Sequence, residues 1–403
     1  MQAKSGFDYD IYDTHDYDDT PDAATFETEL EKTSCTPRIR LSIQNNIYDD
    51  YIIEAPIISR DSEISSGYAT ITVSNADQTF NYYRVDRINR MGQEVRIGIY
   101  FPGIRGVLHV FTGKMEHIAY REGYCIIRAK DAMSEFLDIE LGSGAEPITR
   151  YNGGLDYHPT WTPHELVWDI LTYDDFGNLS KRENNTNPDI NYASWSTWET
   201  QCLLKGYELQ ARFAGHTIRS ALLEIAHITH SVIWLDAEGK FNFYMYDPPI
   251  VSGDEYFDDS NCIMIDSDLD KSTVRNQYTV WHGYNHETNE WEGSVEGTHT
   301  EGGLYREIYG YKRETTESRI VWHYDEDSAS AFGTAQILLK KYPEERIMVQ
   351  ATMLAMLRDI ADPIYVSTTL LDMSNRVFWI TKFNSIDLHE GLVELEGTLA
   401  ILT

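Results

Sequence analysis

The 403-residue chain has little that would carry it across a membrane, hold a metal through cysteine or grip nucleic acid by charge. No run approaches the roughly eighteen apolar residues of a transmembrane helix. The opening Met1-Gln2-Ala3-Lys4-Ser5-Gly6-Phe7-Asp8 has no apolar stretch behind its single Lys4, so export by a signal peptide is not expected. Four cysteines, Cys35, Cys125, Cys202 and Cys262, stand far apart, with no CxxC and no Cys/His cluster at zinc-finger spacing. They read as reduced, mostly buried thiols of a protein made in the cytosol. Cations are scarce: 33 Lys and Arg face 65 Asp and Glu, a formal charge of −32. DNA affinity comes largely from cations that displace counterions, so no specific nucleic-acid binding is expected, and DNA would slide past such a surface. Acidity also serves simply to keep a large protein soluble.

Signatures of catalysis are missing as well. The sequence has no Gly-x-Ser-x-Gly elbow, no Gly-Lys-Ser/Thr phosphate loop and no dinucleotide fingerprint. Its many carboxylates include no pair that spacing singles out for glycoside hydrolysis. No catalytic residue, cofactor or metal is therefore expected.

What is present, with 42% hydrophobic residues, suffices for two to four packed modules. Residues 1–36 form an acidic, Tyr-rich arm in which aromatics alternate with carboxylates. Such a segment repels itself and closes no core alone. It either docks Phe7, Tyr9, Tyr12 and Tyr17 on a neighbour or stays solvated. Asp16, Asp18, Asp22 and Glu27 occupy calcium-hand positions, but Pro21 stands where the sharp turn wants Gly and Thr20 replaces a carboxylate.

Residues 37–140 read as short strands, with period-two alternation in Arg38-Ile39-Arg40-Leu41-Ser42-Ile43 and Ala69-Thr70-Ile71-Thr72-Val73-Ser74. Asn75-Ala76-Asp77, Pro102-Gly103 and Glu122-Gly123 punctuate them as turns. A small antiparallel barrel or sandwich is predicted. Residues 141–265 change to polar loops with two helices and a hairpin, an α+β module. One helix starts at Thr162-Pro163-His164-Glu165, a capping box; the other covers about Thr217 to His230, with Ile218, Ala221, Leu222, Ile225 and Ile228 on one face. The hairpin joins Val232-Ile233-Trp234-Leu235 to Lys240-Phe241-Asn242-Phe243-Tyr244. Residues 266–403 return to strands, with a helix over about Ser328 to Tyr342 carrying Phe332, Ala335, Leu338 and Leu339, and room for a small inserted subdomain.

The chain also echoes itself. Val110-Phe111-Thr112-Gly113-Lys114-Met115-Glu116-His117-Ile118-Ala119-Tyr120-Arg121-Glu122-Gly123 matches the stretch from Val377-Phe378-Trp379-Ile380-Thr381-Lys382-Phe383 to Ile386-Asp387-Leu388-His389-Glu390-Gly391, with one residue inserted. Each copy follows a short strand and precedes another. Two copies of one barrel, separated by the middle module, are therefore predicted; chance similarity between hairpins is the competing account.

The order Ile71-Thr72-Val73-Ser74-Asn75-Ala76-Asp77, Gly92-Gln93-Glu94-Val95-Arg96-Ile97, the first copy of the echo and Ala129-Lys130-Asp131 resembles the first barrel of phage tail-hub proteins. These are the baseplate hubs of contractile tails and the matching tail-tip proteins of non-contractile ones. Ala221-Leu222-Leu223-Glu224-Ile225-Ala226 with the following hairpin resembles the family's middle domain, and the strands around Asp362-Pro363-Ile364-Tyr365-Val366 its second barrel. There the family has Gly-Asp where this chain has Ala361-Asp362. The resemblance covers about residues 37 to 403. It implies a mainly β fold, two tube-like β-barrels around an α+β middle module, and a non-enzymatic homotrimer in the virion. It also implies partners: a tail tube or distal tail protein, a spike, fibre or tip protein, and as a further candidate a tape-measure protein. Three chains with two barrels each would present six contacts to a sixfold tube.

Glu224, His227 and His230, and separately His282 and His286, have metal-like spacing, but no second Glu-x-x-His pair lies on a predicted helix. Asp266, Asp268 and Asp270 lack the closing Glu, since Gln277 stands there. The Trp-rich loop Tyr192-Ala193-Ser194-Trp195-Ser196-Thr197-Trp198, with Trp161 and Trp168, offers aromatic surface. Trp195 and Trp198 are candidate partner or subunit contacts. The alternative is a sugar-binding groove of a carbohydrate-active or receptor-binding β-sandwich protein.

Overall fold

The computed structural model describes residues 28, 37–62, 64, 67–85, 91–101, 106–141, 160–172, 190–246, 256–297, 307–310 and 312–400. The candidate contacts Phe7, Tyr9, Tyr12 and Tyr17, and the calcium-hand-like carboxylates, lie outside them.

The first half is built of β1 (Arg38–Ile43), β2 (Asn46–Ile47), β3 (Ile52–Asp61), β4 (Tyr68–Ser74), β5 (Glu94–Tyr100), β6 (Leu108–Arg121) and β7 (Tyr124–Asp131). Alternation explains them: in β5, Val95, Ile97 and Ile99 are fully buried while Glu94 and Arg96 point outward. The middle carries helices α1 (Pro163–Thr172), α2 (Tyr192–Lys205) and α3 (Ile218–Ile228) and strands β8 (Leu209–Ala211), β9 (Ser231–Leu235) and β10 (Phe241–Met245). The remainder contains β11 (Tyr256–Phe257), β12 (Cys262–Asp270), β13 (Gln277–Asn285), β14 (Glu290–Gly297), β15 (Arg313–Thr316), β16 (Val321–His323), helix α4 (Glu326–Lys340), β17 (Glu344–Thr352), β18 (Pro363–Thr368), β19 (Met373–Asp387) and β20 (Leu392–Leu399). The fold is mainly β. None of the described helices is long and apolar enough to cross a membrane.

Helix ends follow their caps. Glu165 reaches back as expected, its carboxylate accepting from the Thr162 backbone N–H at 3.1 Å and from the Thr162 hydroxyl at 2.7 Å, one limb of a capping box. The Thr217 hydroxyl accepts from the Ser220 N–H, and Ile218, Ala221, Leu222, Ile225 and Ile228 are buried as predicted. The run Tyr192–Trp198, expected as a loop, is instead the first half of α2. Asn191 caps it, accepting from the Ala193 and Ser194 N–H groups, Gly206 ends it at φ +66°, and Trp195, Trp198 and Cys202 form its buried stripe. In α4 the buried face runs through Phe332, Gly333, Gln336 and Ile337, not Ala335 and Leu338. A side chain on Gly297 of β14 would collide with the Gly333 carbonyl, so the two glycines set how closely helix and strand approach.

One 13-stranded sheet holds the first and the last of the described strands, in the order β12-β17-β20-β19-β3-β4-β7-β6-β5-β1-β2, with β18 beside β19 and β11 beside β18. Its first half reads β3-β4-β7-β6-β5-β1 and its second β12-β17-β20-β19-β18-β11. Taken in chain order, these are the same topology. Four of the five pairings in each half have the same antiparallel sense, and only the last differs: β1 is antiparallel to β5, whereas β11 is parallel to β18. The echo lies on equivalent strands, β6 and β19. Both bulge at the same place, between Met115 and His117 in one and between Phe383 and Ser385 in the other. β19 has a second bulge, between Ile380 and Lys382, which absorbs the inserted residue without flipping the faces beyond it.

The middle module has its own core, around Trp198, Tyr207, Phe213, Leu222 and Phe241. Tyr278, Val280, Val321 and Phe332 join that core, and β8 pairs with β16. The segment β13 to α4, inserted between β12 and β17, thus completes the middle module. β12 itself runs across residue 265. A second core runs continuously through both halves of the large sheet, from Leu41 to Leu395.

Candidate functional site

Two regions have the geometry of contact sites: the junction where the two barrel halves meet, and an aromatic cavity in the middle module.

At the junction the outer edge of β3 pairs antiparallel with the second part of β19, with Lys382 opposite Asp61, Phe383 opposite Arg60, Ile386 opposite Ile58 and Asp387 opposite Ile57. Ile58 and Ile386 are 0% and 1% exposed. Beside them sits a charged node. The Arg60 side chain is 7% exposed; its guanidinium lies over the Phe383 ring and donates to Asp359 Oδ1 at 2.9 Å. The other oxygen of Asp359 accepts from Trp234 Nε1 of β9 at 3.1 Å. One carboxylate thereby ties the first half, the second half and the middle module together.

The cavity, of about 620 Å³, lies between α1 and α2, and Trp161, Trp168, Tyr192, Trp195, Glu165 and Glu199 are among its lining residues. Trp168 and Trp195 rings are 5.3 Å apart, and Trp195 packs edge-on against Phe243 at 4.9 Å. His164 also lines it, with Nε2 3.5 Å from Glu199. Desolvation lowers the His164 pKa, against the opposing pull of Glu199 and Glu165. Of the two tryptophans named from the sequence, Trp195 reaches this cavity. Trp198 is fully buried, donating its Nε1 proton to the Ser231 hydroxyl at 2.8 Å. Segments 142–159 and 173–189, which flank α1, lie outside the described residues.

The histidine pairs serve other ends. Glu224 accepts from the Ser318 hydroxyl, His230 meets Gln336 through Nδ1, and His286 sits in the turn of the β13–β14 hairpin. Burial holds His230 and His323 neutral, lowering each pKa to about 3. Asp266 and Asp268 lie on β12, and Asp270 caps a turn by accepting from the Ser272 N–H. Among the described residues no group of three or more His, Cys, Asp or Glu is arranged to hold a metal. Cys125 and Cys202 are buried free thiols and Cys262 is half-buried, with burial raising the pKa of each. The Ala361-Asp362 turn has Ala361 at φ +66°, the conformation for which glycine is preferred.

The junction is not visible as a site in the sequence: Arg60 falls in β3, which carries no strand signal of its own there, and Asp359 lies just before the strand around Asp362–Val366.

No protein-family model matches the chain, and no curated protein matches it. Solved structures do. The 43 kDa tail protein of prophage MuSo2 from Shewanella oneidensis superposes with a TM-score of 0.53 at 14% identity, over 90% of this chain and 98% of that one. The tail protein from Neisseria meningitidis MC58 gives 0.54 at 12%, over 90% and 96%. Prophage tail protein gp18 from Listeria monocytogenes EGD-e gives 0.51 at 12%, over 90% and 94%. Along nine-tenths of its length, therefore, the chain has the fold of phage tail proteins.

Proposed function

We propose that the protein is a structural hub of a phage tail, acting as a homotrimer that surrounds the DNA path. The observation that carries this reading is the repeated strand order of the two sheet halves, β3-β4-β7-β6-β5-β1 and β12-β17-β20-β19-β18-β11. Three chains would then present six similar barrels. A sixfold tail tube or distal tail protein would sit on that face, and a threefold spike, fibre or tip would sit on the other. The formal charge of −32 suits a lumen through which DNA moves without sticking. In this reading the protein is made in the host cytoplasm and resides in the virion, with the tape-measure protein as a further neighbour and no chemistry of its own. The aromatic arm around Phe7, Tyr9, Tyr12 and Tyr17 is a docking segment for one of these partners. Native mass measurement with electron microscopy tests the proposal. A trimeric ring with an open centre is expected, and a monomer at tens of micromolar with no ring would overturn it.

A second reading draws on the cavity: Trp161, Trp168 and Trp195 beside Glu165 and Glu199 offer stacking faces and acceptors for a sugar. Under it the middle module contacts surface glycan. Glycan-array binding that Trp168→Ala abolishes would support this; absence of binding would leave the structural role alone.

A further inference from the structure

The two sheet halves align residue by residue. In the first, Ile58, Ala69, Ala129 and Met115 form one row across β3, β4, β7 and β6. In the second, Ile265, Val349, Leu395 and Phe383 form the same row across β12, β17, β20 and β19. Both rows end at the shared bulge, so Ile118 of β6 is the counterpart of Ile386 of β19, and Ile265 of β12 that of Ile58 of β3.

These counterparts differ in one respect. Ile58 and Ile386 face each other across the β3–β19 junction and are buried. Ile265 and Ile118 belong to edges that no described strand covers, and both are half-buried although packed against the core. β12 is the last strand of the sheet, paired only with β17, and Ile263 and Leu269 on it are each 62% exposed. The apolar stretch Cys262–Ile265 of this open edge is a template for another strand, while Asp266, Asp268 and Asp270 charge the rest of it.

We propose that β12 of one copy pairs antiparallel with the second part of β6 of the next copy, repeating between chains the β3–β19 junction found within the chain. This deepens the ring reading and rests on it. The register follows from the intramolecular junction. Ile118 lies opposite Ile265 of the neighbouring copy and Ala119 opposite its Met264, as Ile386 lies opposite Ile58 and Asp387 opposite Ile57. The seam begins at Ile118 because Glu94 pairs with Lys114 and the Gly92 and Gln93 backbone bonds Met115, which occupies that side of β6 further back. Since β12 and β6 lie in different halves, the contact is head-to-tail and closes a ring rather than a twofold dimer. Ile118, Ile265 and Ile263 are buried when it forms.

The test is cysteine cross-linking in the full chain. Ile118→Cys and Ile265→Cys are made separately, mixed, allowed to assemble and oxidised. Residues directly opposite on antiparallel strands come close enough for a disulfide or a short bis-thiol reagent. A covalent dimer is expected from the mixture, well above the wild-type background of native thiols, and neither variant alone should form it. The double variant should give covalent species up to the trimer. Ile118→Lys and Ile265→Glu, with unchanged circular dichroism, should each raise the trimer dissociation constant at least 100-fold. A native trimer without the cross-link, insensitive to both substitutions, would overturn the seam while leaving the ring. A wild-type chain monomeric at tens of micromolar would overturn both.

Discussion

Replacing Asp359 by Ala removes a carboxylate that three parts of the molecule share. Its two oxygens accept from Arg60 Nη1 at 2.9 Å and Trp234 Nε1 at 3.1 Å. The loss leaves the guanidinium of a side chain only 7% exposed without its counter-charge and an indole N–H without its acceptor. Breaking a buried ion pair from one side costs about 3–5 kcal/mol, and hydrogen bonds to charged groups are worth about 1.5–3 kcal/mol. The Asp359 side chain is 31% exposed, so water can partly replace it; the expected cost is therefore about 2–3 kcal/mol, at the lower end of these ranges. Urea unfolding followed by circular dichroism, at one fixed protein concentration, measures it. Arg60→Met in the same chain removes the orphaned charge and should restore at least about 1 kcal/mol, so the two substitutions must be strongly non-additive. A loss under about 0.5 kcal/mol, or simple additivity, would show that the node does not hold the halves and middle module together.

Trp198→Ala should destabilise by about 3–5 kcal/mol, the usual cost of emptying a fully buried indole site, with urea midpoints as the measure. Stability should fall as pH drops from 7 towards 4, because His230 and His323 are held neutral with pKa values near 3. The unfolded chain binds their protons below its ordinary pKa of about 6.5, so ΔG rises with pH through that window. A His230→Gln, His323→Gln variant should show a flatter pH dependence of its unfolding midpoint than the parent. Gly92→Ala should cost about 1 kcal/mol, since φ there is +83° and the added methyl meets no atom within 4 Å to offset the strain. Ala361→Gly should stay within about 0.5 kcal/mol, relief of strain at φ +66° being cancelled by the lost burial of a methyl only 4% exposed; thermal unfolding compares the two.

Strands were legible where apolar and polar residues alternate over a buried face, as in β4, because alternation is a local signature of a one-sided core. Helices were legible where a cap and an amphipathic stripe agreed, as at Thr217 and Ile218. Helix α2 was missed because its aromatic, Ser- and Thr-rich composition masks the period. Its signals were the Asn191 cap, the terminal Gly206 and the spacing of Trp195, Trp198 and Cys202. The shifted face of α4 has another cause: Gly333 carries no apolar side chain, yet it is buried because β14 approaches there at Gly297. That β13 to α4 complete the middle module depends on which distant core buries Tyr278 and Phe332, and no local pattern encodes it. The Arg60–Asp359 node joins residues 299 positions apart and is invisible for the same reason.

Where the two halves diverge is as informative as where they agree. An entire α+β segment separates β12 from β17, while their counterparts β3 and β4 are joined by six residues, 62–67. Six residues separate Ala119 from Ile126 at the tip of one hairpin, and four separate Asp387 from Leu392 at the other. The second bulge of β19 compensates for its extra residue before the junction is reached, so the side chains beyond it keep their faces. Apart from the reversed sense of the outermost strand, β11 against β1, these differences fall between strands, at a tip or into a bulge, and none shifts the four-residue rows. A barrel that had only to fold could have drifted in register at its outer edge, where packing constrains least. The register persists as far as Ile265 and Ile118, the two row-linked residues left half-buried, as it would if both edges had to match the same kind of neighbour.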